Sequence, residues 1–193
     1  MLIAFEGLDQ SGKETQAKLL RDRLRAAHHK ARVVSFRDYG TSIGEEIARA
    51  LQGEREYGPD VMQLLYVANR HERRPDIDRW CLAGINLLFD RYIASSIAYG
   101  EAQGLDTEWL MEIQKHLPQP ELTIFIDIAP ETALERKATG RDRYEQDYAL
   151  QLGVRKSYLR QAEDPAWRQV NGERPVTQIA DEIAELIPLL RLG

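Results

Sequence analysis

The sequence predicts an α/β fold: a five-stranded parallel sheet with helices on both faces and a small lid segment. Three observations predict it. Short β-type runs alternate with stretches of helical periodicity, the pattern of parallel strands joined by crossover helices. The first run leads at once into a glycine-rich turn and then a helix. The run LTIFIDI, Leu122–Ile128, is a nearly continuous apolar segment, as a strand covered on both faces is.

The elements follow in order. Leu2–Phe5 is the first predicted strand, and Gly7–Gly12 is a turn-rich loop. The helix after it sets Leu20, Leu24 and Ala27 on one face. Arg32–Phe36 is the second strand and Ile43–Leu51 a short helix. A longer helix opens after Pro59, with Val61, Leu64, Leu65 and Ala68 as its apolar stripe. Ile85–Phe89 is the third strand and runs into Asp90-Arg91. Helices are expected over Tyr92–Gln103 and Thr107–His116. Beyond the fourth strand Pro130 opens another helix, because its fixed φ suits a first turn. Trp167–Val170 is the last strand and Val176–Leu190 a closing helix.

Composition narrows the class. The 193 residues are 43 % hydrophobic and 30 % charged, which suits a globular chain and argues against disorder. With no linker-like segment, residues 1–193 read as one domain, with the lid at about 136–147. The net charge of −5 argues against a nucleic-acid-binding surface. Cys81 is the single cysteine, so an internal disulfide and a cysteine-based zinc site are both excluded. No apolar run reaches the roughly 18–20 residues of a membrane span. The start, MLIAFEG, lacks a basic leader, so a cytoplasmic setting is expected. His28, His29, His71 and His116 have no metal-ligand spacing.

The most specific feature is Gly7-Leu8-Asp9-Gln10-Ser11-Gly12-Lys13-Glu14-Thr15. Between a strand and a helix it reads as a P-loop, and with the parallel sheet it predicts a P-loop NTPase fold. Glycines let backbone N–H groups converge on phosphate oxygens, and the helix N-terminus adds partial positive charge. Lys13 reaches the outer phosphates as a mobile point charge. Glu14 stands where a serine or threonine would help to hold Mg²⁺. Two readings follow: Glu14 favours the helix dipole and points outward, or it is itself a magnesium ligand.

Three further features can be read functionally or as ordinary surface. Asp90-Arg91 ends a strand, where ligands of open α/β sheets gather. Asp90 suits the water shell of Mg²⁺, and Arg91 suits a bidentate grip on a second phosphate. If the segment beyond is helical, Arg91, Ser95 and Tyr99 share a face; otherwise the pair is a surface Asp-Arg. Tyr66 and Arg70 are spaced i, i+4, so a ring and a guanidinium can address one base; the plain alternative is an amphipathic helix with exposed arginines, as Arg73, Arg74 and Arg79 are read. Glu135–Glu145 is basic and contains Gly140. It reads as a lid closing arginines over a transferring phosphoryl group, or as a solvated charged loop.

Together these segments resemble the thymidylate kinase family over nearly the whole chain. The resemblance lies in FEGLDQSGKETQ, FRDYGTSIG, LLYVANR, DRYIASSIAYG, GRDRYE and VNGERP, in that order. It implies that ATP, with Mg²⁺, phosphorylates dTMP to dTDP. Gly7 to Thr15 would then bind ATP, and Asp90, with Glu14 as the second candidate, the metal. Phe36, Tyr66, Arg70, Arg91, Ser96, Tyr99 and Asp9 would form the dTMP site: Tyr66 stacks on thymine, Arg70 meets the base edge, Arg91 takes the monophosphate, and Ser96 and Tyr99 line the base and sugar. One subtype of the family carries a catalytic arginine in the P-loop, where this chain has Gln10. The other subtype supplies it from the lid, so Arg136, Arg141 and Arg143 join Asp9, Lys13 and Arg91 as catalytic candidates. Arg37, Tyr39, Gly100 and Asn171 depart from frequent family residues. The resemblance also implies a homodimer. The alternatives are a kinase for another nucleoside monophosphate and a non-catalytic P-loop module.

Overall fold

The structure, a computed structural model, describes residues 1–36, 38–137, 144 and 147–190. Five strands, β1 (Leu2–Glu6), β2 (Ala31–Ser35), β3 (Asn86–Asp90), β4 (Leu122–Asp127) and β5 (Trp167–Asn171), form one parallel sheet in the order β2-β3-β1-β4-β5. All five expected strands are present, each with slightly shifted ends. The shifts matter, because Glu6 and Asp90 belong to strand ends, and Phe5 is in register with Asp90. The carboxyl ends of β1 and β3 therefore lie side by side.

The helices traced through the described residues include α1 (Lys13–Ala26), α2 (Ser42–Leu51), α3 (Pro59–Glu72), α4 (Arg74–Leu82), α5 (Ile93–Ala102), α6 (Thr107–Glu112), α7 (Pro130–Arg136), α8 (Tyr148–Gln161) and α9 (Val176–Glu185), with a 3₁₀ turn at Pro188–Leu190. Alternation along β1 divides the core. Ile3 and Phe5 pack with Leu20 and Leu24 of α1 and Ile179 and Ile183 of α9. Leu2 and Ala4 join the opposite face, with Phe89, Tyr92 and Ile77 of α4. That face continues into a cluster of Phe125, Met62, Ala98, Val154 and Tyr158, from β4, α3, α5 and α8. Each fully buried large side chain there contributes about 1.5–3 kcal/mol.

Several expectations are corrected. In α1 it is Ala17, not Ala27, that completes the buried face, since Ala27 lies past the last turn and is exposed. In α3 the expected stripe is rotated: Val61 and Leu64 are exposed, whereas Met62, Gln63, Val67, Asn69 and Arg70 are buried. Polar residues turn inward there because that face lines a cleft. Helices α4 and α8 were not expected. α8 starts at Asp147, whose carboxylate accepts the Leu150 N–H at 2.9 Å. It buries Leu150, Val154, Ser157 and Tyr158 along one side. α6 is shorter than expected, and the closing helix ends at Glu185. No helix among the described residues is long and apolar enough to cross a membrane.

Candidate active site

The loop after β1 is shaped by backbone conformation. Gly7 sits at φ 141° and Gly12 at φ 92°. A Cβ on Gly7 would collide with the Ile126 carbonyl of β4, so the turn has no room for a side chain. Gly12 caps α1 with no side-chain hydrogen bond, which leaves first-turn N–H groups facing the loop. Lys13 folds back over it, its Nζ donating to the Leu8 carbonyl at 2.6 Å. The Glu14 carboxylate pairs with Lys18, one turn along α1, at 2.5 Å and is mostly exposed. Asp9, Lys13, Thr15, Ser35 and Asp90 line the open cleft in front of the loop, and Glu14 stands at its edge as well.

Arg91 leaves β3 with φ 62°, a left-handed conformation that costs a non-glycine residue of order 1–3 kcal/mol. That turn aims its guanidinium at the P-loop. Nη2 donates to Asp9 Oδ1 at 2.7 Å and to the Tyr99 hydroxyl at 3.4 Å. Nη1 donates to Ser95 Oγ at 3.2 Å and Tyr158 Oη at 3.4 Å. Ser95 and Tyr99 share a face of α5 as expected, but Arg91 precedes the helix and reaches them through its left-handed turn, not from the same helical face. Burial works to lower the Arg91 pKa, but the Asp9 carboxylate more than reverses it and holds the group well above the usual arginine range.

Beside this cluster lies a narrow cavity, about 370 Å³ of empty space when the open solvent at its mouth is included. Phe36, Gln63, Tyr66, Arg70, Ser96 and Tyr99 line it, with Arg91 at one end. Tyr66 and Arg70 thus meet one space, as their spacing implied. Arg70 Nη1 donates to Ser96 Oγ and to Gln114 Oε1, each at 2.7 Å. Burial brings the Arg70 pKa down to about 10, against the opposing charge of Glu6. Arg70 Nε and Gln63 Oε1 are buried without hydrogen-bond partners among the described residues.

A family model described as thymidylate kinase matches residues 5–183. The chain belongs to the thymidylate kinase family. The Schizosaccharomyces pombe thymidylate kinase is 40 % identical over 159 residues, 82 % of this chain and 75 % of that one. The Homo sapiens thymidylate kinase is 30 % identical over 188 residues, 96 % of this chain and 88 % of that one. The solved structure of the Candida albicans thymidylate kinase superposes with a TM-score of 0.85 at 32 % identity, over 96 % of this chain and 90 % of that one. Thymidylate kinases use ATP as phosphate donor, generally with Mg²⁺.

Of the three candidate lid arginines, Arg136 lies at the end of α7 and donates to the Gln10 carbonyl at 3.1 Å and the Gly172 carbonyl at 2.8 Å. It links the P-loop to the turn after β5. Arg141 and Arg143 lie outside the described residues. The chemistry of the cleft fits a hard cation. Asp90 Oδ1 is buried without a partner among the described residues, while Oδ2 accepts from Ser35 at 3.5 Å.

Sequence reasoning passed over several residues. Gln63 and Gln114 bear on the cavity and on Arg70; the i, i+3, i+7 spacing of Gln63, Tyr66 and Arg70 carried the signal for the first. Tyr158 was missed with α8. Arg73, read as plain surface, donates to Asp38 at 2.5 Å and so ties the end of α3 to the segment after β2.

Proposed function

We propose that this cleft carries out the family's reaction, phosphorylation of dTMP by ATP, with the following division of labour. The P-loop N–H groups and Lys13 hold the donor's outer phosphates. Arg91 aims the acceptor's monophosphate at the γ-phosphorus, and Asp9 and Tyr99 hold that guanidinium in place. The acceptor oxygen needs no dedicated base, because a monophosphate is already largely dianionic near neutral pH. The protein's task is alignment and charge neutralisation. Asp90 would hold Mg²⁺ through its water shell, and the cation would neutralise charge on the donor phosphates. Arg136, Arg141 and Arg143 stabilise charge spreading over the transferred group and exclude water.

The base end selects the acceptor. Tyr66 supplies a ring to stack on, with Phe36, Ser96 and Tyr99 closing the walls. Arg70 is a donor and Gln63 Oε1 an acceptor without a partner, a pair complementary to the carbonyl and N3–H edge of thymine. Cytosine presents the opposite polarity. The single observation that carries the reading is the placement of Arg91 between Asp9 of the P-loop and the cavity that holds Tyr66 and Arg70. A two-phosphate reaction needs that placement; a nucleotide-binding switch does not.

Incubation with ATP, Mg²⁺ and dTMP tests it. dTDP and ADP should form in equal amounts; ADP without dTDP would reduce the chain to a hydrolysing module. Residues 1–193 act as one domain in this reading, cytoplasmic and paired as a homodimer. The exposed Val61 and Leu64 of α3 offer an apolar face to a second copy, and sedimentation at a single dimer mass is the expected result.

A further inference from the structure

Glu6 is the last residue of β1 and is fully buried. Strand alternation sends it to the same face as Leu2 and Ala4, away from α1 and toward α5 and α8. A buried carboxylate is costly unless its oxygens are satisfied. Here both are. Oε1 accepts the Tyr92 N–H at 2.8 Å. Oε2 accepts the Ser95 hydroxyl at 2.6 Å and the Tyr158 hydroxyl at 3.0 Å. These are the two hydroxyls that Arg91 Nη1 touches.

We propose that Glu6 is the positioning residue for Arg91: by drawing the hydroxyl protons of Ser95 and Tyr158 to itself, it makes both oxygens acceptors for the guanidinium and fixes the geometry in which Arg91 grips the acceptor phosphate. This rests on the function proposed above, in which Arg91 takes that phosphate.

Proton counting carries the inference. A guanidinium only donates, and a hydroxyl has a single proton. Ser95 and Tyr158 must accept from Arg91, so each must send its proton elsewhere. Their oxygens are 2.9 Å apart, but if one hydroxyl donated to the other, the second would still need an acceptor. Glu6 Oε2 takes both protons. Packing alone gives no reason for a carboxylate here, since an apolar side chain would fill the space between β1, α5 and α8 without a buried charge. Docking the start of α5 needs only the Tyr92 N–H. The second oxygen is explained by the arginine beyond the hydroxyls. A glutamine at this position makes the point sharper. If its carbonyl keeps the Tyr92 N–H, its NH₂ group faces Ser95 and Tyr158 and donates to them. One hydroxyl can then donate to the other, but the remaining proton must turn toward Arg91, and an acceptor becomes an opposed donor.

Titration calorimetry with dTMP and with ATP, each binding separately, on the parent, Glu6→Gln, Tyr158→Phe, the double variant and Arg91→Ala, tests the proposal. Glu6→Gln should weaken dTMP by about tenfold or more, as loss of a charge-assisted arrangement does. ATP affinity should stay within about twofold. Tyr158→Phe should weaken dTMP alone, by less. The double variant should lose less than the product of the single effects, because both act through one hydroxyl. A folded Glu6→Gln protein that binds dTMP like the parent, or that loses both ligands equally, overturns the proposal, as does strict additivity in the double variant. If Glu6→Gln does not fold, Tyr158→Phe decides on the same criterion. Arg91→Ala separates the two levels: if it loses dTMP while Glu6→Gln does not, only the role of Glu6 fails; if it binds dTMP like the parent, the underlying reading of Arg91 fails as well.

Discussion

Arg91 and Asp9 form an ion pair, Nη2 to Oδ1 at 2.7 Å, between a buried guanidinium and a partly exposed carboxylate, and it ties the end of β3 to the P-loop. In the proposed reaction Arg91 carries the acceptor phosphate, and its loss removes that grip together with the pairing to Asp9. Arg91→Ala is therefore expected to abolish turnover while ATP binding remains nearly intact. Arg91→Lys should recover only part of the rate, because a point charge cannot span Asp9, Ser95 and Tyr99 together. Steady-state kinetics on the two variants check this; a lysine variant with parental kcat would count against a geometric role.

The three candidate lid arginines should behave differently. Alanine at Arg136, Arg141 or Arg143 is expected to lower kcat more than it weakens either substrate, since contacts made mainly in the transition state affect kcat and kcat/KM alike. Single-turnover measurements on the three variants locate the group that matters. If all three keep the parental rate constant, the charge on the transferred phosphoryl is neutralised elsewhere.

Glu14 is paired with Lys18 along the helix surface. Glu14→Gln should accordingly leave the Mg²⁺ concentration for half-maximal rate unchanged. A severalfold rise, restored by Glu14→Thr, would instead make this carboxylate part of the metal's shell.

A stability prediction follows from Glu101 of α5, which accepts from Thr107 at 2.6 Å, from Ser157 of α8, and from Arg160 at 2.5 Å. Burial pushes its carboxyl pKa up, but these donors outweigh it and leave the value below the ordinary 4.5. A lowered folded pKa means stability that is present above 4.5 and is lost as pH falls through the folded value. Glu101→Gln should cost about 1–2 kcal/mol at pH 7, or roughly 2–8 °C in Tm. That gap should narrow as the buffer is taken below 4.5. A gap independent of pH would contradict the assignment.

Much of this was legible because the strongest signals are local. The strands are short apolar runs, and the P-loop is contiguous with the strand and helix that frame it. The spacing of Tyr66 and Arg70 also read through. What did not read through depends on distant partners. The inward face of α3 carries Gln63, Asn69 and Arg70, so hydrophobic periodicity pointed to the wrong side of a helix that lines a cleft. Helix α8 was missed because Gly153 and scattered charges blur its pattern. The 150, 154, 157, 158 spacing and the Asp147 cap were the available signals. Glu6 looked like one motif letter until α8 supplied Tyr158 from more than a hundred residues away.

If one cleft aligns a donor at the P-loop with a thymine nucleotide read by Arg70 and Gln63, kcat/KM with ATP across dTMP, dUMP, dCMP and dGMP must follow a fixed order. dTMP should lead. dUMP should trail by the about 1–3 kcal/mol of a lost methyl contact, and dCMP should fall far further, because its edge leaves the buried polar groups unpaired. A kcat/KM for dCMP or dGMP equal to or above that for dTMP would show that Arg70 and Gln63 do not read the thymine edge.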